Sequence, residues 1–505
     1  MKSLLYILPF LVACASSAPK APPRSAQAQT PGASAPPQGT PDSSFRARPP
    51  PPGTAVEFHA PIPTQLLLRN GLPVFLIERH DIPLISIALA LLSGADTEPP
   101  GKAGLSSFTL DLLDEGTATR DAAAIARGFE DLGARYGSAS EADSSRVSVT
   151  AISDTLAPVL DIFADVVLHP QFRAADVERV RVERLGEIAQ ALDDPQSVGR
   201  QVLSRVIFGE KHPWGYPREG TVSSVKAISR KDIVAWHEAW FHPSNAALFV
   251  VGDTDAATLM PLLEMRFGGW KDGRPPKAAR HQRPKKLVRV VTLVDKPGAP
   301  QSQIWIGEIG VSSSAPDIFP VRVMNNILGL SFNSRLNGNL RTEHGYSYGV
   351  FSFYYAHREP GPFVAAGGVI TEKTAEALAE FMKELTKMKS GEVSDEELAE
   401  AKDSLVRTIP ALFASNDQTA GAYARVWAEG LPVDYYATYE DRVQAVTKEA
   451  VAKAARERLH PQDMAIVVVG PSAQIAPRIE ALGLGKIELR DAEGEARKAV
   501  SAAAQ

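Results

Sequence analysis

The segment from Ala227-Ile228-Ser229 through Phe241-His242-Pro243 to Leu248-Phe249-Val250-Val251-Gly252 returns later in the chain. It reappears at a constant offset and without a gap as Ala445-Val446-Thr447, Leu459-His460-Pro461 and Ile466-Val467-Val468-Val469-Gly470. Each copy reads as a helix, a His-Pro turn and a buried strand ended by glycine. A duplication of this kind implies two similar α/β halves, because each copy needs the same neighbours to complete a core. Upstream, 295–328 follows 78–112 in outline: apolar strand, short loop, helix. The halves are placed at 55–270 and 287–490. Between them 271–286, rich in Lys, Arg and Pro, reads as a solvated linker, and 491–505 reads as a flexible tail.

Strand and helix signals alternate within the first half. Alternation and apolar runs predict strands at 73–78, 84–92, 146–152 and 246–251, the first opening after the Asn70-Gly71 turn. Helical spacing predicts helices at 121–132, 156–168, 174–192, 197–207 and 230–240, with Asp193-Asp194-Pro195 breaking the third from the fourth. The whole is an α+β chain. A content of 44% hydrophobic residues over 505 supplies two cores. The net charge of −5 gives no reason to expect nucleic acid. No Walker loop, dinucleotide fingerprint or Gly-x-Ser-x-Gly elbow occurs, so nucleotide chemistry and serine hydrolysis lack support.

The N-terminus carries a different message. Met1-Lys2 precedes an apolar run over 4–13, too short to span a bilayer, which ends in Leu11-Val12-Ala13-Cys14. That ending resembles the lipobox of bacterial lipoprotein signal peptides. It implies a signal peptide over 1–13, lipid attachment at Cys14, and a place in the cell envelope on the periplasmic face of the outer membrane. Cys14 is the sole cysteine, so no disulfide forms within the chain. Residues 14–54 are rich in Pro, Ser, Ala, Gly and Gln and read as the anchor followed by a disordered tether.

The stretch Gly104-Leu105-Ser106-Ser107-Phe108-Thr109-Leu110-Asp111-Leu112-Leu113-Asp114-Glu115-Gly116-Thr117 reads as an amphipathic helix closed by a glycine turn. Its flanks resemble those of the zinc helix in the pitrilysin/insulinase metallopeptidases, the inverted zincins. There a Gly-Leu start and a Gly-Thr end enclose His-x-x-Glu-His. Aligned on that motif, Ser107 and Asp111 stand where the two histidines belong and Leu110 where the general base belongs. Glu187, in Arg184-Leu185-Gly186-Glu187-Ile188, takes the place of the third ligand. A hydroxyl is a poor zinc ligand, and leucine neither accepts a proton nor orients water, so this chain is expected to hold no metal of its own. The resemblance implies two homologous insulinase-type rolls forming a clam-like half chamber.

In the second half, Leu340-Arg341-Thr342-Glu343-His344-Gly345-Tyr346-Ser347-Tyr348 resembles the family segment in which an arginine and a tyrosine reach across the chamber to the zinc site. A guanidinium and a phenol suit support of an oxyanion. His344 reads as a turn residue, as do His169 and His212 before prolines. His237 and His242 lie five apart on one helix, where imidazoles diverge, so they read as structural.

Together these features imply a catalytically deficient subunit of a heteromeric zinc peptidase. It would bind no cofactor itself. Zinc would sit in a partner subunit of the same family, with Arg341 and Tyr348 supplied in trans to a peptide substrate. The alternative is a membrane-anchored peptide-binding or scaffold lipoprotein with no part in proteolysis.

Overall fold

The computed structural model describes residues 58–276, 281 and 289–496. All of them fall in one compact unit, Phe58–Gln505. The predicted signal peptide, Cys14 and the tether lie outside the described residues.

The described strands form two six-stranded sheets. The first contains β1 (Thr64–Leu67), β2 (Pro73–Glu78), β3 (Leu84–Leu91), β4 (Arg135–Ser140), β5 (Ser145–Ile152) and β6 (Ala246–Gly252), in the order β1-β2-β6-β3-β5-β4. The second contains β7 (Val290–Asp295), β8 (Gln301–Ile309), β9 (Val350–Tyr354), β10 (Pro362–Ile370), β11 (Ala465–Gly470) and β12 (Lys486–Arg490), in the order β12-β7-β11-β8-β10-β9. The duplicated strands occupy equivalent places. β6 runs parallel to β2, with Leu248 opposite Val74, and β11 runs parallel to β7, with Ile466 opposite Val291. Their preceding helices, Arg230–Trp240 and Lys448–Arg458, are both capped by a hydroxyl, Ser229 and Thr447, accepting from the N–H three residues on. The sheets differ at one edge: β1 pairs antiparallel to β2, whereas β12 pairs parallel to β7.

β6 and β11 are buried along their whole length, so both faces of each sheet need cover. Each half supplies helices to one face of its own sheet. The other face is covered by a helix from the opposite half. Val198, Val202, Leu203 and Ile207 of helix Pro195–Phe208 pack on Trp305 and Val467 of the second sheet. Reciprocally, Ala420, Tyr423 and Ala424 of helix Asn416–Ala428 pack on Ala88, Phe249 and Val251 of the first. The helix predicted at 197–207 therefore belongs by sequence to the first half and by packing to the second.

Two further differences from the sequence reading stand out. Strand β4, Arg-Tyr-Gly-Ser-Ala-Ser, lacks the apolar alternation that announces a strand and was not predicted. The segment expected as a flexible tail begins as an ordered turn: Glu495 reaches Arg205 at 2.6 Å, and Ala496 bridges to Arg490.

Candidate functional site

Helix Leu105–Asp111 is shorter than the 104–117 read from sequence. Leu112 and Leu113 are fully buried, and their N–H groups turn onto the carbonyls of Thr109 and Leu110, so core packing ends the helix early. At its start Gly104 has φ +89°, and a Cβ there would lie 2.7 Å from the Glu219 carbonyl oxygen. Only glycine lets the turn at Glu219 and Gly220 lie over this end. The buried Glu98 carboxylate accepts from the Gly104 N–H at 2.9 Å, the Ser106 N–H at 2.9 Å and the Ser106 hydroxyl at 2.6 Å. Burial pushes its pKa up to about 7.

Ser107 and Asp111 lie one turn apart and face helix Ala174–Asp193. That helix buries Val177, Val180, Arg184 and Ile188, an apolar stripe with an arginine in it. Arg184 gathers Ser107, Asp111 and Glu187 around its guanidinium. Its Nη1 donates to the Ser107 hydroxyl at 2.9 Å and to the Glu219 carbonyl at 3.2 Å. Its Nη2 forms an ion pair with Asp111 Oδ2, and its Nε stands 3.3 Å from Glu187 Oε2. The arginine side chain is 6% exposed, whereas Glu187 is largely in solvent. Leu110 is buried in the first core. Burial raises the pKa of Asp111 against the opposing charge of Arg184.

Asp111, Asp114, Glu115, Tyr136 and Glu187 line a cleft of about 440 Å³ beside this group, with β4 as one wall. Asp114 is pushed up to about 6, first by burial and then by Glu115 and Asp111. Among the described residues no group of three His, Cys, Asp or Glu side chains is placed to hold a metal ion. The donor set at 107, 111 and 187 does not fit zinc: imidazole is absent, and Asp111 is already paired with a guanidinium.

Arg341 and Tyr348 lie elsewhere, on the second half. Arg341 belongs to the π-helical segment Gly338–Glu343, and its guanidinium carbon sits 3.6 Å from the centre of the Phe332 ring. Among the described residues it has no carboxylate partner. Past the turn at Gly345 (φ +63°), Tyr348 is 96% exposed. Its loop is nonetheless tied down, since the Ser347 hydroxyl donates to the Gly349 and Gly368 carbonyls at 2.9 and 2.6 Å. Neither side chain touches the group around Arg184 by hydrogen bond or ion pair. The structure brings Ser107, Asp111 and Glu187 together around Arg184, a residue the sequence reading did not single out.

The histidines take structural places. His237 bonds the Val167 carbonyl at 3.0 Å, and burial lowers its pKa to about 4. His460, the mate of His242, pairs through Nδ1 with Glu308 at 2.8 Å. His212 accepts from the Trp214 N–H at 3.1 Å, and His344 stacks on Tyr346.

Comparison with known proteins gives a consistent result. Residues 74–217 match the family described as insulinase (peptidase family M16), and 227–405 match the peptidase M16 inactive domain. An uncharacterised zinc protease of Bacillus subtilis is 22% identical over 81% of this chain and 98% of its own length. Another from Mycobacterium bovis is 26% identical over 68% of this chain and 78% of its own. Among solved structures, a peptidase M16 inactive domain from Pseudomonas fluorescens superposes with TM-score 0.75 at 25% identity, over 81% of this chain and 98% of that one. A chain of Complex III2 from Candida albicans shares the fold with TM-score 0.68 at 15% identity, over 83% and 99%.

Proposed function

Because the chain belongs to the insulinase family of peptidases, family M16, we propose that it is the catalytically deficient subunit of a heteromeric bacterial zinc peptidase. Ser107, Asp111 and Glu187 stand around a guanidinium and include no imidazole, which supports a chain without hydrolytic zinc of its own. A partner of the same family, bearing His-x-x-Glu-His, supplies the metal and the activated water. This chain contributes half of the peptide chamber together with Arg341 and Tyr348.

The observation that carries this reading is how the two side chains are held. Half-buried Arg341 sits over the Phe332 ring with no carboxylate partner among the described residues, and Tyr348 projects into solvent from an anchored loop. Two donors so held can bond the carbonyl of an extended peptide and, more strongly, the oxyanion formed when water attacks it. That a chain of Complex III2 shares this fold also fits life within an assembly. Anchoring through Cys14 in the cell envelope, with 14–54 as tether, belongs to the same proposal. A Cys14→Ser chain should lose incorporation of labelled palmitate and its membrane association.

Co-expression with a related chain that carries the full zinc motif tests the core claim. The pair should cleave an extended peptide. Arg341→Ala or Tyr348→Phe should lower kcat by about 10²-fold, the usual loss for one oxyanion donor, with the complex still intact. Cleavage unaffected by both substitutions, or no association at all, favours the peptide-binding scaffold instead.

A further inference from the structure

We infer that Arg184 is a built-in cation standing in for the metal. It holds the degenerate zinc site together and bars a metal from it. Three observations converge on this. The first is position: the guanidinium contacts all three residues at the family's ligand positions, Ser107 at 2.9 Å, Glu187 at 3.3 Å, and Asp111 through an ion pair. The second is burial: an arginine side chain 6% exposed on an otherwise apolar helix stripe is costly to desolvate, and it persists only where its donors are met. The third is connectivity: Nη1 also reaches the Glu219 carbonyl, so one side chain ties helix Leu105–Asp111 and the turn at Glu219 to helix Ala174–Asp193.

A structural metal performs the same task, drawing ligands from distant segments onto one positive centre. The planar fork of a guanidinium is suited to replace it. It keeps its charge at any pH the protein meets and offers several donors in fixed directions, whereas lysine is a single point charge. The substitution is also self-consistent. Imidazoles at 107 and 111 would meet guanidinium N–H groups with only one lone pair each, whereas a hydroxyl and a carboxylate accept readily. A divalent ion among the same side chains would stand against the guanidinium, with like charges in contact and the arginine hemmed in by its neighbours.

This holds for the chain alone, with or without a partner subunit, so its tests use the isolated full chain and no peptidase assay. In wild-type protein, neither EDTA nor added zinc should move Tm. Arg184→Met keeps the apolar stem and leaves Asp111 unpaired. It should lower Tm by roughly 3 °C or more. It should also speed amide exchange at least about tenfold in 105–111 and at the 218–220 turn, with distant strands such as β10 unchanged. Arg184→Lys should rescue only part of this.

The second test restores the ligands. Ser107→His with Asp111→His should take up almost no zinc on dialysis while Arg184 is present. The triple variant that adds Arg184→Ala should take up about one zinc per chain, which Glu187→Gln then weakens. Equal zinc uptake with Arg184 in place overturns the inference, as does refusal of zinc after its removal. Exchange at 105–111 unaltered by Arg184→Met overturns the tethering role.

Discussion

Phe332 leaves 71% of its surface in water, a cost that a covering guanidinium partly offsets. If it serves as a platform for Arg341, Phe332→Leu should leave Tm unchanged, because the side chain is already exposed. It should still cut turnover of the co-expressed pair about two- to fivefold, the worth of an exposed cation–π contact. Phe332→Trp should restore the rate, and full activity in the leucine variant would dismiss the platform. At this scale legibility was uneven. Arg341 and Tyr348 stand out in the sequence because one local segment carries both residues and the turn between them. Arg184 escaped because its partners come from helix Leu105–Asp111 and from the turn at Glu219, both distant in sequence. Its one local signal was an arginine in the Val177, Val180, Ile188 stripe.

Elements were most legible where a local rule acts alone. The helices predicted at 156–168 and 230–240 are Leu156–Leu168 and Arg230–Trp240, with the Ser229 capping box marking the start of the second. Boundaries moved where burial overrode periodicity, as at Leu112 and Leu113. Close approach between elements is equally hidden from sequence. A Cβ on Gly199 would lie 2.3 Å from the Trp305 indole, so helix Pro195–Phe208 can settle on β8 only with glycine there. Gly199→Val should destabilise the chain by about 3 kcal/mol through overpacking, despite removing a helix glycine. A denaturant midpoint no lower than that of wild type would show that the contact can relax.

For the whole molecule, the seam between the halves concentrates buried charge. Asp143 accepts from the Arg358 N–H at 2.9 Å across it, with Asp96 and Glu429 nearby. Burial raises Asp96, Glu98 and Glu429 to about 7, so between about pH 4 and 7 the folded chain keeps protons that the unfolded chain has released. Their contribution to stability is fully present below the unfolded carboxyl pKa and is lost as pH rises through 7. His212 and His237, lowered to about 4 by burial, act in the opposite sense and cost stability as pH falls below 6.5. Tm should therefore decline from pH 6.5 to 8, and Glu429→Gln should shrink that decline. A wild-type Tm that rises over this interval would contradict the assignment.

The amino-acid sequence alone determined the duplication, the alternation of strands and helices, and the side-chain chemistry at 107, 110 and 111, a hydroxyl, a hydrocarbon and a carboxylate. These are properties of order and of side-chain chemistry, and no contact is needed to express them. Only the tertiary structure decided that each half closes the other's sheet, that β4 forms an edge, and that the Arg184 guanidinium gathers Ser107, Asp111 and Glu187. Each of those depends on which distant surfaces are left to bury, and that is settled when the chain packs.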